Sequence, residues 1–370
     1  MLHVTQPVEA GVARVVLDLI TDQVGRGWEV WLACPTDGWL PLAARAAGAR
    51  VLPWHATRQP GPGVVREVRR LSAILREVDP AVVHLHSSKA GLAGRLAVRG
   101  RRPTAFQPHA WSFLATGGPL GAASHRWEQW AARWTDLVVA VSEAEASRTA
   151  EAGISAPVVV APNGVDVDRW APRDRAHARA QLGLGAEPIA LCAGRLAHQK
   201  GQDILVDLWP SVRARVADSC LLLVGDGPTR QSLEAAAGPG IVFGGASADL
   251  APWYAAADVV VLPSRWEGMA LVPLEAMASG RSVVATDVDG MREALEPDAG
   301  EVVSAGDRTA LADAVSRRLA DSALCAAEGA SGRSRAVAYF DVRRCAAVVG
   351  DAVAALAHAP GRSNSTSRSS

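Results

Sequence analysis

The sequence predicts an α/β fold built from two doubly wound parallel sheets, and three observations support this. Short apolar, strand-like runs alternate with helix-like segments along nearly the whole chain. At 370 residues the chain is too long for one hydrophobic core and suits two domains of ordinary size. A strong turn signal, Asn163-Gly164 after Pro162, separates two halves that each repeat the alternation.

The first half, residues 1–166, is predicted to form one Rossmann-like domain. Its expected strands cover residues 2–8, 29–34, 81–86, 137–142 and 158–161. A helix is expected over 12–24, entered through Ala10-Gly11, and a basic amphipathic helix over 64–78. Because strands and helices alternate, we expect the strands to lie parallel in one sheet with helices on both faces.

The second half, residues 167–341, is predicted to form a second domain of the same kind. It opens with a charged, linker-like stretch over 167–186, and strands are expected near 188–193, 220–225, 240–244, 258–263 and 282–286, with helices in the gaps. A last helical stretch covers 342–357. The Ser- and Arg-rich residues 358–370 are predicted to be a disordered tail.

Composition narrows the class of protein. The formal net charge is zero, which gives no support for nucleic-acid binding driven by overall charge. The five cysteines are scattered and lack C-x-x-C spacing, so we expect reduced, mostly buried thiols. No apolar run reaches transmembrane length, and strand-like residues begin at Leu2, so we expect no signal peptide. These features predict a cytoplasmic protein.

The most informative stretch runs from Ser264 to Gly280. It places Glu267 and Glu275 eight positions apart across a junction between a buried strand and a helix. Pro273 lies near the first helical position, where its missing N–H costs least. The backbone N–H groups expected at the helix start belong to Gly268, Met269, Ala270 and Leu271. A helix start binds anions, and the two carboxylates beside it suit hydroxyl groups, which together predict a sugar-nucleotide site.

A second signal comes from the basic residues. Only two of the 38 are lysines, Lys89 and Lys200, so a lysine indicates a place where a compact ammonium is needed. Lys200 and Arg195 follow the apolar strand that ends near residue 193, and ligands bind at such strand ends. Both cations are therefore predicted to reach the same diphosphate, with two solvated surface cations as the alternative.

Taken together, these motifs resemble glycosyltransferase family 4, whose members adopt the GT-B architecture of two Rossmann-like domains that face a cleft. The resemblance covers nearly the whole chain to about residue 357. It is carried by the Glu267–Glu275 pair, the Gly-Arg-Leu…Gln-Lys-Gly run at 194–201, and the runs at 223–228 and 163–166. The runs at 84–91 and 108–113 resemble bacterial members that build polysaccharides or glycolipids.

The resemblance implies a role for each matching residue. Glu267 would bind hydroxyls of the donor sugar and Glu275 those of the ribose, while Arg195 and Lys200 would neutralise the diphosphate. His109 would face the transferred sugar from the first domain. The other implied donor-site residues are Gly11, Gly194, Gly225, Gly244 and Ala246. Ala10 replaces the first glycine of the loop that opens the first helix, and residues 342–357 would cross back onto the first domain.

The resemblance implies a retaining glycosyltransferase that moves a sugar from a nucleoside-diphosphate sugar, with UDP favoured over GDP, to a hydroxyl of a polysaccharide, glycolipid or small glycoside. Arg195, Lys200, Glu267 and His109 are the expected catalytic residues. Charge would develop on the departing diphosphate, where cations and the helix start stabilise it. No cofactor or metal is expected. The alternatives are a sugar-nucleotide 2-epimerase-like isomerase and a non-catalytic sugar-nucleotide-binding subunit.

Two further groups of residues are candidates for contacts with the acceptor. His84 and His86 alternate at a strand end and Lys89 follows them in a Gly-bounded loop, which predicts acceptor contacts, with packed histidines and an exposed lysine as alternatives. We predict no metal here because no third ligand motif is nearby. Trp127, Trp130 and Trp134 share a helical face with arginines nearby, which is typical either of a core stripe or of peripheral contact with an anionic membrane surface at the inner face.

Overall fold

A computed structural model describes residues 1–57, 61–115 and 117–358. The strands of its first half are β1 (Leu2–Thr5), β2 (Trp31–Cys34), β3 (Arg50–Pro53), β4 (Val83–His86), β5 (Thr104–Gln107), β6 (Leu137–Ala140) and β7 (Val158–Val160). The helices are α1 (Ala10–Gly25), α2 (Leu40–Ala46), α3 (Val64–Val78), α4 (Ser87–Val98), α5 (Gly118–Ala131) and α6 (Glu143–Glu151).

The second half has strands β8 (Ile189–Ala193), β9 (Cys220–Val224), β10 (Ile241–Gly245), β11 (Val259–Leu262), β12 (Ser282–Thr286) and β13 (Gly300–Val303). Its helices are α7 (Arg175–Leu182), α8 (Gln202–Arg215), α9 (Arg230–Ala236), α10 (Ala251–Ala256), α11 (Leu271–Ala278), α12 (Met291–Leu295), α13 (Arg308–Ala320) and α14 (Ser322–Tyr339). The last described helix is α15 (Val342–His358).

The described residues form two parallel sheets. The first has the strand order β3-β2-β1-β4-β5-β6-β7, and the second has the order β10-β9-β8-β11-β12-β13. Strands such as β8, β9 and β11 consist of apolar residues that are buried throughout, as expected for sheets covered by helices on both faces. The predicted α/β fold of two doubly wound units is confirmed.

The chain returns to the first sheet after the second is complete. Val165, in the connection between the halves, bridges to Asp341 just before α15 begins. Helix α15 then packs against α1, where Arg26 Nη1 lies 2.6 Å from an Asp351 carboxylate oxygen. This is the predicted returning helix. The boundaries predicted at residues 166 and 341 remain predictions, and residues 359–370 of the predicted tail lie outside the described residues.

Some elements differ from the sequence predictions. The stretch 167–186 was expected to be a linker but contains α7, which begins at the Asp174 cap and ends at Gly183 in a left-handed conformation. Strands β3, β5 and β13 were not predicted. β3 and β13 lie at sheet edges and are partly exposed, so they lack a continuous apolar run, and β5 carries polar residues at both ends. All five cysteines are free and buried, as expected.

Candidate active site

The site lies where the carboxyl ends of the two sheets meet. The loop after β5 contacts the loop after β11: a β-carbon built on Gly268 would lie 2.9 Å from the Ala110 backbone nitrogen and 3.1 Å from the His109 carbonyl carbon. Such a contact is too close for a side chain, so only glycine fits at this position. A β-carbon on Gly11, at the start of α1, would lie 3.9 Å from Leu271 Cδ1 at the start of α11. The structure therefore brings His109, Gly11 and the α11 start together.

Helix α11 begins at Leu271 after Ala270, which is extended and provides no side-chain cap. Pro273 is the third helical residue rather than the first, so the N–H groups at the helix start are those of Ala270, Leu271 and Val272. Gly268 and Met269 lie in the preceding turn, where the Met269 carbonyl accepts a hydrogen bond from Asn163 Nδ2 at 2.6 Å. An uncapped helix start of this kind suits an anion, as the sequence predicted.

Glu267 and Lys200 form an ion pair directly before this helix. Lys200 Nζ lies 2.6 Å from Glu267 Oε1, and the Ser264 hydroxyl donates to the same oxygen at 2.8 Å. A backbone hydrogen bond, from the Arg265 N–H to the Gln199 carbonyl, holds the segment that carries Lys200 against the loop that carries Glu267. Glu267 is buried and Lys200 is partly exposed, so a ligand in the cleft can reach the ammonium group.

Glu275 lies one turn into α11, where the Tyr254 hydroxyl donates to its Oε2 at 2.7 Å. Burial raises the pKa of the Glu275 carboxyl, an effect that the hydrogen bond from Tyr254 opposes. The residue lines a cavity of about 520 Å³ between α1, α11 and the start of α15. Asp18 and Arg14 of α1 line the same cavity, and burial raises the pKa of Asp18 to about 7.

Arg195 and Lys200 both follow β8, on a segment tied to the loop after β9. The Gly194 N–H donates to the Val224 carbonyl and the Leu196 N–H donates to the Asp226 carbonyl, both at 2.9 Å. Arg195 is partly buried. The structure thus places both predicted diphosphate cations after β8, and it places Lys200 beside the segment that precedes α11. Their binding of a diphosphate remains a prediction.

The glycines predicted to bind the nucleotide lie at the neighbouring strand ends. The Gly225 N–H donates to the Gly245 carbonyl at 2.8 Å, which joins the loops after β9 and β10. Gly244 packs on the Trp253 ring, where a β-carbon would lie 2.6 Å from a ring carbon, and Ala246 is exposed beyond it. Their roles in binding remain predictions.

Four histidines lie together beside this site. His3 and His84 are paired in the register of β1 and β4, and His86 follows on the same face of β4. One ring nitrogen from each of His3, His84 and His86 lies within 4.8 Å of the other two, an arrangement that could hold a metal ion. His3 is the third candidate ligand that the sequence analysis missed, so its argument against a metal was incomplete, and the absence of a metal remains a prediction. His86 Nδ1 lies 3.3 Å from His109 Nε2.

The sequence predicted that Lys89 lies in a loop, and this prediction is wrong. Lys89 belongs to α4, is 5% exposed and pairs with Glu67 at 2.8 Å. The neighbouring glycines were predicted to be loop residues, but they lie in α4 and allow it to pack closely on the sheet. A β-carbon on Gly91 would lie 2.5 Å from Phe106, and one on Gly94 would lie 2.4 Å from Leu85. The alternative of an exposed lysine is wrong, and contact with an acceptor phosphate would require this buried pair to open.

The tryptophans of the proposed membrane face form a connected cluster. The Trp127 and Trp130 rings lie 5.4 Å apart, and the Trp130 and Trp134 rings lie 4.4 Å apart. Trp130 is 42% exposed and carries the Arg133 guanidinium over its ring. In the part of the chain that the structure describes, no helix has the length and hydropathy needed to cross a membrane. Contact with a membrane surface remains a prediction.

Two residues that hold the site were missed by the sequence analysis. Glu145 of α6 accepts hydrogen bonds from the Ala110 and Val141 backbone N–H groups, both at 2.8 Å, and so fixes the loop that carries His109. Gln23 of α1 contacts His3 at 2.8 Å. A glutamate and a glutamine within ordinary amphipathic helices carry no local signal of such a role.

Two facing Rossmann-like units, with an uncapped helix start, two basic residues and two carboxylates at the strand ends between them, are the arrangement of nucleotide-sugar glycosyltransferases. Residues 10–169 match the model of "Glycosyltransferase Family 4", and residues 187–321 match that of "Glycosyl transferases group 1". The chain is 34% identical over 332 residues to a GDP-mannose-dependent alpha-(1-6)-phosphatidylinositol monomannoside mannosyltransferase of Mycobacterium tuberculosis, covering 84% of each chain. The chain belongs to glycosyltransferase family 4, and it is a glycosyltransferase that uses a nucleotide sugar.

Further relatives agree with this assignment. The lipopolysaccharide core biosynthesis mannosyltransferase LpsB of Rhizobium meliloti is 34% identical over 233 residues, which is 59% of this chain and 65% of that protein. Anabaena HepE in complex with UDP-glucose has the same fold, with a TM-score of 0.83 at 23% identity over 96% of this chain and 99% of that one. The mycobacterial relative is named for GDP-mannose, so the expected preference for UDP has no support from it.

Proposed function

We propose that this protein transfers mannose from GDP-mannose to a hydroxyl of a glycolipid acceptor, with retention of the anomeric configuration. The donor and the acceptor class are suggested by the mycobacterial relative, which covers most of both chains. The observation that carries the site assignment is the Lys200–Glu267 pair, which lies directly before the α11 start and opposite His109.

In this proposal the diphosphate of the donor lies against the start of α11. Arg195 and Lys200 neutralise the charge that grows on the departing diphosphate, and the helix N–H groups add to that stabilisation. Lys200 would turn from Glu267 toward the phosphate when the donor binds. Glu267 is then left to accept hydrogen bonds from sugar hydroxyls, while Glu275 holds the ribose.

Retention follows if the acceptor hydroxyl attacks from the face that the diphosphate leaves. A phosphate oxygen can take the proton of that hydroxyl, so no protein nucleophile is required. A double displacement would instead need a carboxylate close to the anomeric carbon. In the described part of the cleft Glu267 is the carboxylate before the helix start, and it is already held by Lys200 and Ser264.

The test is a transfer assay with GDP-mannose and phosphatidylinositol mannoside, run beside UDP-glucose, on the purified wild type and Lys200→Ala. We expect the variant to lose on the order of a hundredfold or more in turnover, the usual effect of removing one charge-stabilising donor. Arg173→Ala, which changes a cation 47% exposed, is the control and should leave turnover unchanged. Near-normal turnover in Lys200→Ala would reject the site assignment.

The other outcomes of that assay identify the alternative functions. An epimerised donor in the absence of acceptor would indicate an isomerase. Calorimetric binding of GDP without any product would indicate a non-catalytic subunit. Faster transfer from UDP-glucose than from GDP-mannose would reject the proposed donor while leaving the enzyme class in place.

A further inference from the structure

We propose that Gln23, His3 and His86 are positioning residues that fix the tautomer of His109, with its proton on Nε2 and a lone pair on Nδ1. The proposal extends the function proposed for His109, the residue that faces the transferred sugar. It gives a role to three side chains that are fully buried and lie beside His109.

The four side chains form a continuous hydrogen-bonded row that runs from α1 through β1 and β4 to the loop after β5. Gln23 Oε1 lies 2.8 Å from His3 Nε2, and His3 Nδ1 lies 2.9 Å from His86 Nε2. His86 Nδ1 lies 3.3 Å from His109 Nε2, and the facing rings are stacked. Gln23, His3 and His86 are fully buried, so water does not compete for these positions.

The first residue of the row sets the direction of every hydrogen bond in it. The Gln23 side chain presents its oxygen to His3, and an amide oxygen can only accept, so we assign His3 as the donor through Nε2–H. A neutral imidazole carries one proton, which leaves His3 Nδ1 as an acceptor for Nε2–H of His86. Because His86 donates through Nε2–H, its Nδ1 accepts from Nε2–H of His109.

Each contact in the row accommodates one proton, so a second proton on His3 or His86 would place two N–H groups face to face, and both rings are therefore neutral. Burial lowers the pKa of His3 to about 4 and that of His109 to about 3, and it lowers the pKa of His86 well below its ordinary value. The consequence at the cleft is specific. His109 can accept a hydrogen bond from a sugar hydroxyl through Nδ1, but it cannot donate one there.

A metal ion is the competing explanation for the cluster of His3, His84 and His86. Among the described residues neither buried ring nitrogen of His84 has a hydrogen-bond partner, so this residue could offer a ligand. His3 Nδ1 and His86 Nε2, however, lie 2.9 Å apart, a hydrogen-bond distance that suits a proton between them. A metal would have to replace that proton, so a stoichiometric metal in the purified protein would overturn the proposal.

The direct test is the tautomer itself, read from long-range proton–nitrogen spectra of protein labelled with nitrogen-15 in histidine. The His109 signals are assigned by their loss in His109→Asn. We expect one tautomer with the proton on Nε2, together with less than a tenth of an equivalent of zinc by elemental analysis. A proton on Nδ1, or an even mixture of both tautomers, would overturn the proposal. This reading does not depend on any transfer activity.

A matched pair of variants tests whether Gln23 sets the tautomer of His109. Gln23→Met keeps the length of the side chain and removes the acceptor, whereas Gln23→Glu keeps an acceptor oxygen. We expect Gln23→Met to give mixed tautomers at His109 and a fall in kcat of about fivefold to tenfold, the value of one neutral hydrogen bond, with an unchanged KM for the donor. Gln23→Glu should restore the single tautomer and most of kcat.

The experiments distinguish a failure of the proposed hydrogen-bonded row from a failure of the role proposed for His109 in transfer. If Gln23→Met leaves both the tautomer and kcat unchanged, the row of hydrogen bonds does not position His109. If the tautomer changes as expected but His109→Asn remains fully active, the row exists and the role proposed for His109 in transfer is wrong.

Discussion

Replacing Glu145 by glutamine should loosen the loop that carries His109. The Glu145 carboxylate is 1% exposed and accepts two backbone N–H groups, from Ala110 and Val141. A glutamine of the same shape has one acceptor oxygen, so its amide group must face the second N–H, where both groups donate. The loop therefore loses one hydrogen bond, and a buried donor is left without a partner.

The size of the effect can be worked out from this geometry. A hydrogen bond to a charged group contributes about 1.5–3 kcal/mol, and an unpaired buried donor costs about 1–3 kcal/mol. His109 and Ala110 also have φ values of 55° and 93°, a left-handed conformation that is unfavourable for residues with side chains. Glu145 holds that conformation in place. At pH 8 the raised pKa of Glu145 offsets part of this loss, because burial penalises the carboxylate but not the neutral amide. We expect Glu145→Gln to lower the free energy of unfolding by about 1 kcal/mol.

The assay is urea unfolding followed by fluorescence, together with kcat of transfer. Burial raises the pKa of Glu145 to about 7, so the measurement is made at pH 8, where the carboxylate form prevails. The control is Glu143→Gln, an exposed glutamate on the same helix, which should change stability by less than about 0.5 kcal/mol. We expect kcat to fall in Glu145→Gln while the Kd for GDP stays near that of the wild type.

Two results would refute this reasoning. If Glu145→Gln were as stable as Glu143→Gln, the two hydrogen bonds would not hold the loop. If stability fell but kcat did not, the conformation of His109 would not matter to transfer.

Three further predictions concern stability. Burial raises the folded-state pKa of Asp18 from 3.8 to about 7, so the stability that its protonated carboxyl contributes is complete below pH 3.8 and is lost as pH rises through 7. Asp18→Asn should therefore raise the free energy of unfolding by roughly 2 kcal/mol at pH 8 and leave it unchanged near pH 3.5. A gain in stability that does not depend on pH would contradict this prediction. Lys89→Met should cost about 3 kcal/mol in urea unfolding by leaving Glu67 buried and unpaired, with an unchanged KM for the acceptor; a raised KM would instead support the predicted acceptor contact. Ala10 has a φ of 60°, so Ala10→Gly should raise the thermal midpoint, by up to about 1 kcal/mol of stability, and a lower midpoint would show that the loss of chain entropy outweighs the relief.

The sequence was sufficient for the fold and for the donor side of the site because both are encoded locally. Buried parallel strands are continuous apolar runs, and such runs predicted β8, β9 and β11 within one or two residues. The spacing of Glu267 and Glu275 fixes one carboxylate before the helix start and one a turn into it. Lys200 could be recognised because lysine is rare in this chain.

Sequence reasoning failed where a residue's role depends on register between distant segments. His3 and His84 are far apart in sequence, and only the parallel pairing of β1 with β4 places them side by side. The alternation of His84 and His86 within one strand indicates a shared face but not which strand lies beside it. Lys89 was misplaced for a related reason, since glycines in α4 that make room for Phe106 and Leu85 have the same composition as a loop.

The contacts that bring the two halves together are the least visible in the sequence, yet the site depends on them. Arg148 of α6 forms a bidentate pair with Asp289, at 2.7 and 2.6 Å, and Glu293 of α12 accepts hydrogen bonds from the backbone N–H groups of residues 143 and 144 at the α6 start. The same helix holds the His109 loop through Glu145. Helix α6 thus contacts both the His109 loop and the second half, so we expect a change in relative orientation that breaks the Arg148–Asp289 pair to alter the distance between His109 and the α11 start.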